Sequence, residues 1–166
     1  PSLGDFDMSY VISVNTHTDQ RAAQILHYLA VQHRCIWYSV FARLLGIDTC
    51  ESDWMKRLLA VLWRFEREDK ATGRPRRSAL VVSQSTGLPG HGYWSIKKVA
   101  LSARPIEHQR ELEKVFEYPY DLDLDQSLRR EIDAHLDYRP RGRVPTGTPR
   151  QKRSSTAPSA HPTRYH

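Results

Sequence analysis

Ten side chains in this sequence join charge or hydrogen-bonding capacity to a spacing that suits a polyanion: Tyr38, Lys56, Arg57, Arg64, Arg67, Arg76, Arg77, His91, Lys97 and Lys98. At about 100° per residue, Lys56, Arg57, Ala60, Trp63, Arg64 and Arg67 fall on one side of a helix. Guanidinium forks on such a face match phosphate oxygens and guanine edges. Trp63 lies in the same stripe, where a plain solvated surface rarely places a Trp. Arg76-Arg77 and Lys97-Lys98 bracket a second feature. Between them stand Thr86-Gly87, Pro89-Gly90 and Gly92, with His91 between two glycines. A glycine-rich tip with basic flanks suits close approach to a phosphate backbone. The opposing readings are a solvated basic helix face and gatekeeping charges on an edge strand.

These side chains need elements to position them. Leu80-Val81-Val82 and Tyr93-Trp94-Ser95-Ile96 are strand-forming runs separated by turn signals, and the spacing predicts a β-hairpin with a long, projecting tip. Tyr10, Ile12 and Val14 alternate with Val11, Ser13 and Asn15, which predicts a short strand pairing with that hairpin. Thr18 or Asp19 caps a first helix, ending near His33-Arg34, whose stripe is Ala22, Ile25, Leu26, Leu29 and Ala30. A second helix runs from about Tyr38 to Leu45 and stops at Gly46. The third, about Asp53 to Lys70, buries Trp54, Met55, Leu58, Leu59, Val61, Leu62 and Phe65, and ends at Gly73 before Pro75. After Arg104-Pro105, Ile106 to Tyr118 forms a fourth helix with Leu112, Val115 and Phe116 inward. Leu124, Leu128, Ile132 and Leu136 recur at i, i+4 and give a fifth.

Charge divides the chain. Residues 1–104 carry +5, residues 105–138 carry −6 and residues 139–166 carry +7, so the basic total of +6 comes largely from the end of the chain. From Arg139 the composition turns to Pro, Ser, Thr, Arg and Gly, which cannot bury enough apolar surface to offset ordering entropy. The expected organisation is an N-terminal segment with a short strand (1–17), a basic domain (18–104), an acidic helical extension (105–138) and a disordered basic tail (139–166). The acidic extension suits folding over the basic faces in competition with nucleic acid, docking of a partner protein, or plain completion of the core.

Other chemistries find little support. Cys35 and Cys50 are too few for a disulfide scaffold and read as reduced thiols in a cytoplasmic protein. With His27 and His33 they match no zinc-ligand spacing, and no metal or cofactor is expected. Asp121, Asp123 and Asp125 resemble the start of a calcium loop, but the required Gly and distal Glu are missing. There is no nucleotide-binding glycine loop ahead of a helix, no Gly-x-Ser-x-Gly elbow and no catalytic set around His91. No apolar run of about 18 residues suggests a membrane span, and the N-terminus lacks the basic and apolar regions of a signal peptide.

Tyr38-Ser39-Val40-Phe41-Ala42-Arg43-Leu44-Leu45-Gly46 resembles the Tyr-x-x-Leu/Phe-Ala-x-x-x-Gly phrase of alkyltransferase-like DNA repair proteins. The resemblance covers nine residues. It implies a winged-helix architecture, in which a Tyr at the place of Tyr38 helps rotate a nucleotide out of the duplex and an Arg, loosely Arg57, fills the gap. The acceptor phrase Pro-Cys-His-Arg is absent, and Arg76-Arg77-Ser78 stands ahead of the strand where it would lie. The resemblance therefore bears on fold and not on alkyl transfer. The expected fold is α+β: a winged-helix-like three-helix core with a small antiparallel hairpin sheet, a C-terminal helical extension and a disordered tail. The expected function is non-enzymatic binding of duplex DNA through the third helix and the wing. The alternative is a protein-interaction module docking through residues 105–138.

Overall fold

The computed structural model describes residues 8–137, and side chains from 17 to 136. In chain order it contains α1 (Met8–Val31), β1 (Ile36–Trp37), α2 (Tyr38–Leu44), α3 (Trp54–Thr72), β2 (Val81–Val82), α4 (His91–Ser95), α5 (Arg104–Glu117) and α6 (Gln126–Asp137), with 3₁₀ turns at Arg77–Leu80 and Leu101–Ala103. The expected strand at 10–14 lies inside α1. The disorder expected of residues 139–166 falls outside the described residues.

The stripes read from helical periodicity meet in one core. Ala22, Ile25, Leu26, Leu29 and Ala30 of α1 are all buried, and they join Phe41 and Leu44 of α2, Leu58, Val61, Leu62 and Phe65 of α3, Leu112 and Val115 of α5, and Leu128 and Ile132 of α6. The acidic helices thus contribute their apolar faces to the same cluster as the basic ones. α2 ends where Gly46 takes φ 76°. α3 ends at Gly73, φ 67°, where Arg74 N–H closes back on Asp69 O at 2.9 Å. Pro105 sits in the first turn of α5, where its missing N–H costs nothing.

The winged-helix expectation is corrected here. The fold is mostly helical, and among the described residues the only sheet is two strands of two residues each. They run parallel, with Ile36 opposite Val81 and Trp37 opposite Val82. Val81-Val82 is therefore a strand, as its β-branched residues suggest, but its partner is β1 and no antiparallel hairpin forms. The second expected strand is helical: Tyr93 and Trp94 lie in α4 and both are buried. Strand geometry would turn consecutive side chains to opposite faces, whereas here both rings must leave water. The segment between β2 and α4 is held down. Ser83 N–H bonds Leu88 O at 2.9 Å, Gly90 N–H bonds the Tyr38 hydroxyl at 2.7 Å, and Trp94 Nε1 donates to Pro89 O at 3.0 Å.

The expected basic base of the wing is the second correction. Arg77 is 1% exposed. Asp69 lies at i+11 from Leu58 and i+4 from Phe65, so it falls on the core stripe of α3 and is itself 1% exposed. Arg77 meets it with the backbone N–H on Oδ2 at 2.9 Å, Nε on Oδ1 at 2.9 Å and Nη2 on Oδ1 at 2.8 Å. Its guanidinium also lies 4.4 Å from the centre of the Phe65 ring. Arg76 turns inward too. Its Nε donates to both Glu66 oxygens at 3.0 Å, its Nη2 to Tyr93 O at 2.9 Å and its backbone N–H to Glu111 Oε1 at 2.8 Å. One arginine thereby ties α3 to α4 and α5. Breaking a buried pair strands the remaining charge, so Arg77→Ala should lower the unfolding free energy by about 3–5 kcal/mol in urea titrations. Arg67→Ala, on an exposed position of the same helix, should change it by less than about 0.5 kcal/mol. Equal effects of the two would show that the inward arginine contributes nothing.

Candidate binding groove

α3 carries a second apolar stripe besides the one facing the core. Met55, Leu59 and Trp63 are spaced i, i+4, i+8, and Leu59 and Trp63 are 44% and 53% exposed. Leu59, expected inward from the sequence, therefore belongs to the outer stripe, as does half-buried Met55. This stripe forms one wall of a groove of about 810 Å³. Gly90, His91, Gly92, Ser95 and Ile96, the last 44% exposed, form the opposite wall. Tyr38, Leu62, Glu66, Ser78 and Tyr93 supply the floor.

Two polar groups of the floor, Glu66 and the Tyr38 hydroxyl oxygen, are braced. Glu66 accepts from Arg76 Nε and from the Ser78 hydroxyl, so its negative charge is matched on the spot. The Tyr38 hydroxyl accepts from Gly90 N–H, and a Cβ added at Gly90 would stand 3.3 Å from that oxygen. A side chain at Gly90 would therefore press on Tyr38, which would have to give by a few tenths of an ångström. Burial raises the Tyr38 hydroxyl above its ordinary pKa, with the Gly90 hydrogen bond pulling the other way. Burial likewise pushes up the Tyr93 hydroxyl.

The ten residues singled out by type and spacing are not brought together. Tyr38, Lys56 and His91 line the groove. Arg57 is exposed on α3 and pairs with Glu51 at 3.3 Å. Arg64, half-buried, makes a two-pronged pair with Asp19 of α1, at 2.8 and 2.7 Å, and so fastens α3 to α1. Arg67 is exposed. Arg76 and Arg77 are committed to Glu66 and Asp69 and cannot reach a phosphate in this arrangement. Lys97 and Lys98 are exposed, Lys97 with Glu107 at 3.6 Å. Sequence reasoning noticed Trp63 but not its neighbours. The available signal was the excess of apolar positions on α3, more than one helix face holds.

A second polar cluster lies under the core, and it is structural. His27 Nε2 accepts from Arg77 Nη1 at 3.1 Å, and its ring stacks on Tyr120 at 4.6 Å. Accepting at Nε2 fixes the neutral ring. Burial, reinforced by the Arg77 charge, lowers its pKa to about 4. His108 donates from Nε2 to Ala79 O at 2.8 Å and is also lowered, by burial. His33 stacks on Phe116 at 4.7 Å. Burial pushes the Cys35 thiol up to about 11, the behaviour of an inert thiol rather than a nucleophile. Among the described residues no three or more His, Cys, Asp or Glu side chains gather in a way that could hold a metal ion. Among them, too, no helix is long and apolar enough to cross a membrane.

His27 has a folded pKa below the 6.5 of an ordinary histidine. The unfolded chain therefore takes up the proton first as pH falls. The stability this residue contributes is present above pH 6.5 and is lost as pH drops through about 4. Urea titrations between pH 7 and 4 should show declining stability, and His27→Gln, which keeps an acceptor for Arg77, should flatten part of that decline. An unchanged slope in the variant would remove His27 from the account. No protein-family model, no curated protein and no solved structure matches this chain.

Proposed function

We propose that this chain is a non-enzymatic interaction module that holds an apolar segment of a partner protein in the groove between α3 and residues 90–96. One observation carries the reading: Leu59, Trp63 and Ile96, each close to half exposed, line the same groove. Isolated exposed apolar side chains are ordinary, but a contiguous apolar patch with a polar border marks an interaction surface. A helix face opposite a short irregular wall is also the setting in which apolar anchors of a peptide are received. The acidic helices, the docking surface expected from charge, serve this role less well. Most of their apolar stripe residues are already buried or half-buried in the core, and what remains outside is mainly charged, with Ile106 a lone exposed apolar side chain that lines no groove.

The test uses a displayed library of random 16-residue peptides panned against the full chain and against Leu59→Ser/Trp63→Ser. Both positions are exposed, so the variant keeps the fold, as circular dichroism would verify. The wild type should enrich peptides with repeated large apolar residues, and the variant should not. No enrichment, or equal enrichment on both proteins, would sink the reading.

A second reading, binding of duplex DNA, retains one specific support. Residues 139–166 hold 7 Lys and Arg and no Asp or Glu. Such a segment attracts phosphates without regard to sequence and releases counterions on binding. The rest of the chain adds little, since residues 8–137 hold 18 Lys and Arg against 17 Asp and Glu, a net +1. Removing residues 139–166 should therefore weaken duplex binding and flatten its salt dependence, with the melting temperature nearly unchanged. Binding that survives the deletion at full strength would return the contact to α3.

A further inference from the structure

Resting on the interaction-module reading, the inference concerns which segment the groove accepts. We infer that it selects an acidic one: a partner peptide with Asp or Glu placed beside its apolar anchors. The groove's own polar groups point that way when sorted by what each still lacks. Glu66, the single acid among the lining residues, has both oxygens occupied by Arg76 and one shared with Ser78. Lys56 lines the groove and has no acid within 4 Å among the described residues. The Tyr38 hydroxyl oxygen is taken by Gly90 N–H, while its own hydrogen has no acceptor among the described residues. What remains unmatched at the groove is the Lys56 ammonium and a hydroxyl donor. Their complement is a carboxylate beside an apolar anchor, with a peptide carbonyl over Tyr38.

Two other anionic occupants fit worse. A fatty acid would bring a carboxylate and an apolar chain, but small-molecule sites enclose most of their ligand. Here the wall side chains Trp63 and Leu59 stay about half in water. A single nucleic-acid strand needs successive stacking platforms along a cationic track. The bed here is mainly aliphatic, with Met55, Leu59, Ala60 and Ile96 around one exposed Trp.

The probes are two displayed libraries with the same randomised apolar positions. One carries Asp and Glu at the intervening positions, the other Lys and Arg. Both are panned on the full chain at low and at physiological salt. The acidic library should be recovered about tenfold better than the basic one, a preference worth about 1.4 kcal/mol. Lys56→Glu should abolish or reverse that preference. Leu59→Ser/Trp63→Ser, which keeps every charge, should lose recovery of both libraries. Equal recovery of the two libraries on the wild type leaves the module reading standing and overturns this inference. A preference that persists in the lysine variant, or in the Leu59/Trp63 variant, also overturns it, because the acid would then be read by another basic region such as residues 139–166. Recovery of neither library removes the module reading and this inference with it.

Discussion

The structure turns on two arginines that face inward. Asp69 lies on the core side of α3, and an unpartnered carboxylate there would cost several kcal/mol. Gly73 in the left-handed conformation sends the chain back along α3, and Arg77 then delivers a backbone N–H and two guanidinium nitrogens to that carboxylate. Once Arg77 is seated, Ala79, Leu80 and Val81 have nowhere to go but the core, and β2 comes beside β1. The same placement puts Arg76 against Glu66, Tyr93 and Glu111, which draws α4 and α5 onto α3. A buried pair of this kind adds little net stability compared with apolar packing. Its effect is selection, because arrangements that leave Asp69 dry and unpaired are excluded.

That constraint explains which parts of the fold could be read in advance. α1, α2, α3, α5 and α6 each announce a 3.6-residue stripe, and most stripe residues are buried where the period places them, while Trp54, Met55, Phe116, Leu124 and Leu136 are half-buried and Leu59 faces outward. The start of α1 was lost because Tyr10, Ile12 and Val14 also alternate, and a short alternation does not separate strand from helix. Val81-Val82 declares a strand but not its partner. A parallel partner such as Ile36-Trp37 reaches it only through the crossover of α2 and α3, which local pattern cannot show. Arg76-Arg77 misled most. Basic pairs beside a glycine-rich stretch usually face water. Here the decisive fact was eight residues upstream, in an acid occupying a core position of a helix. Asp69 at i+4 from Phe65 was visible in the sequence and implied a buried cation.

The groove follows from the same arrangement. Because 76–80 covers the core side of α3 at its C-terminal end, the segment from Gly90 to Ile96 comes to rest alongside the outer stripe of the helix. It leaves a channel between them instead of sealing it. Tyr38 holds the Gly90 side of that channel, since its hydroxyl accepts from the Gly90 backbone N–H and a side chain at Gly90 would crowd it. Trp94 fixes the approach through Pro89. Leu101 and Ile106, exposed further along, do not line it.

The electrostatics of the groove are set by the core as well. Glu66 would make the floor anionic if it stood alone. Arg76 is there because Arg77 is, and with Ser78 it leaves the floor without net charge. Lys56 is then the one lysine lining the groove, and it has no acid partner among the described residues; an exposed lysine of this kind steers and discriminates more than it binds. Affinity at such a site has to come from the apolar bed, and selectivity from the border. Losing Arg76 would couple the two, because an unbraced Glu66 would both loosen α4 and turn the floor against an acidic ligand.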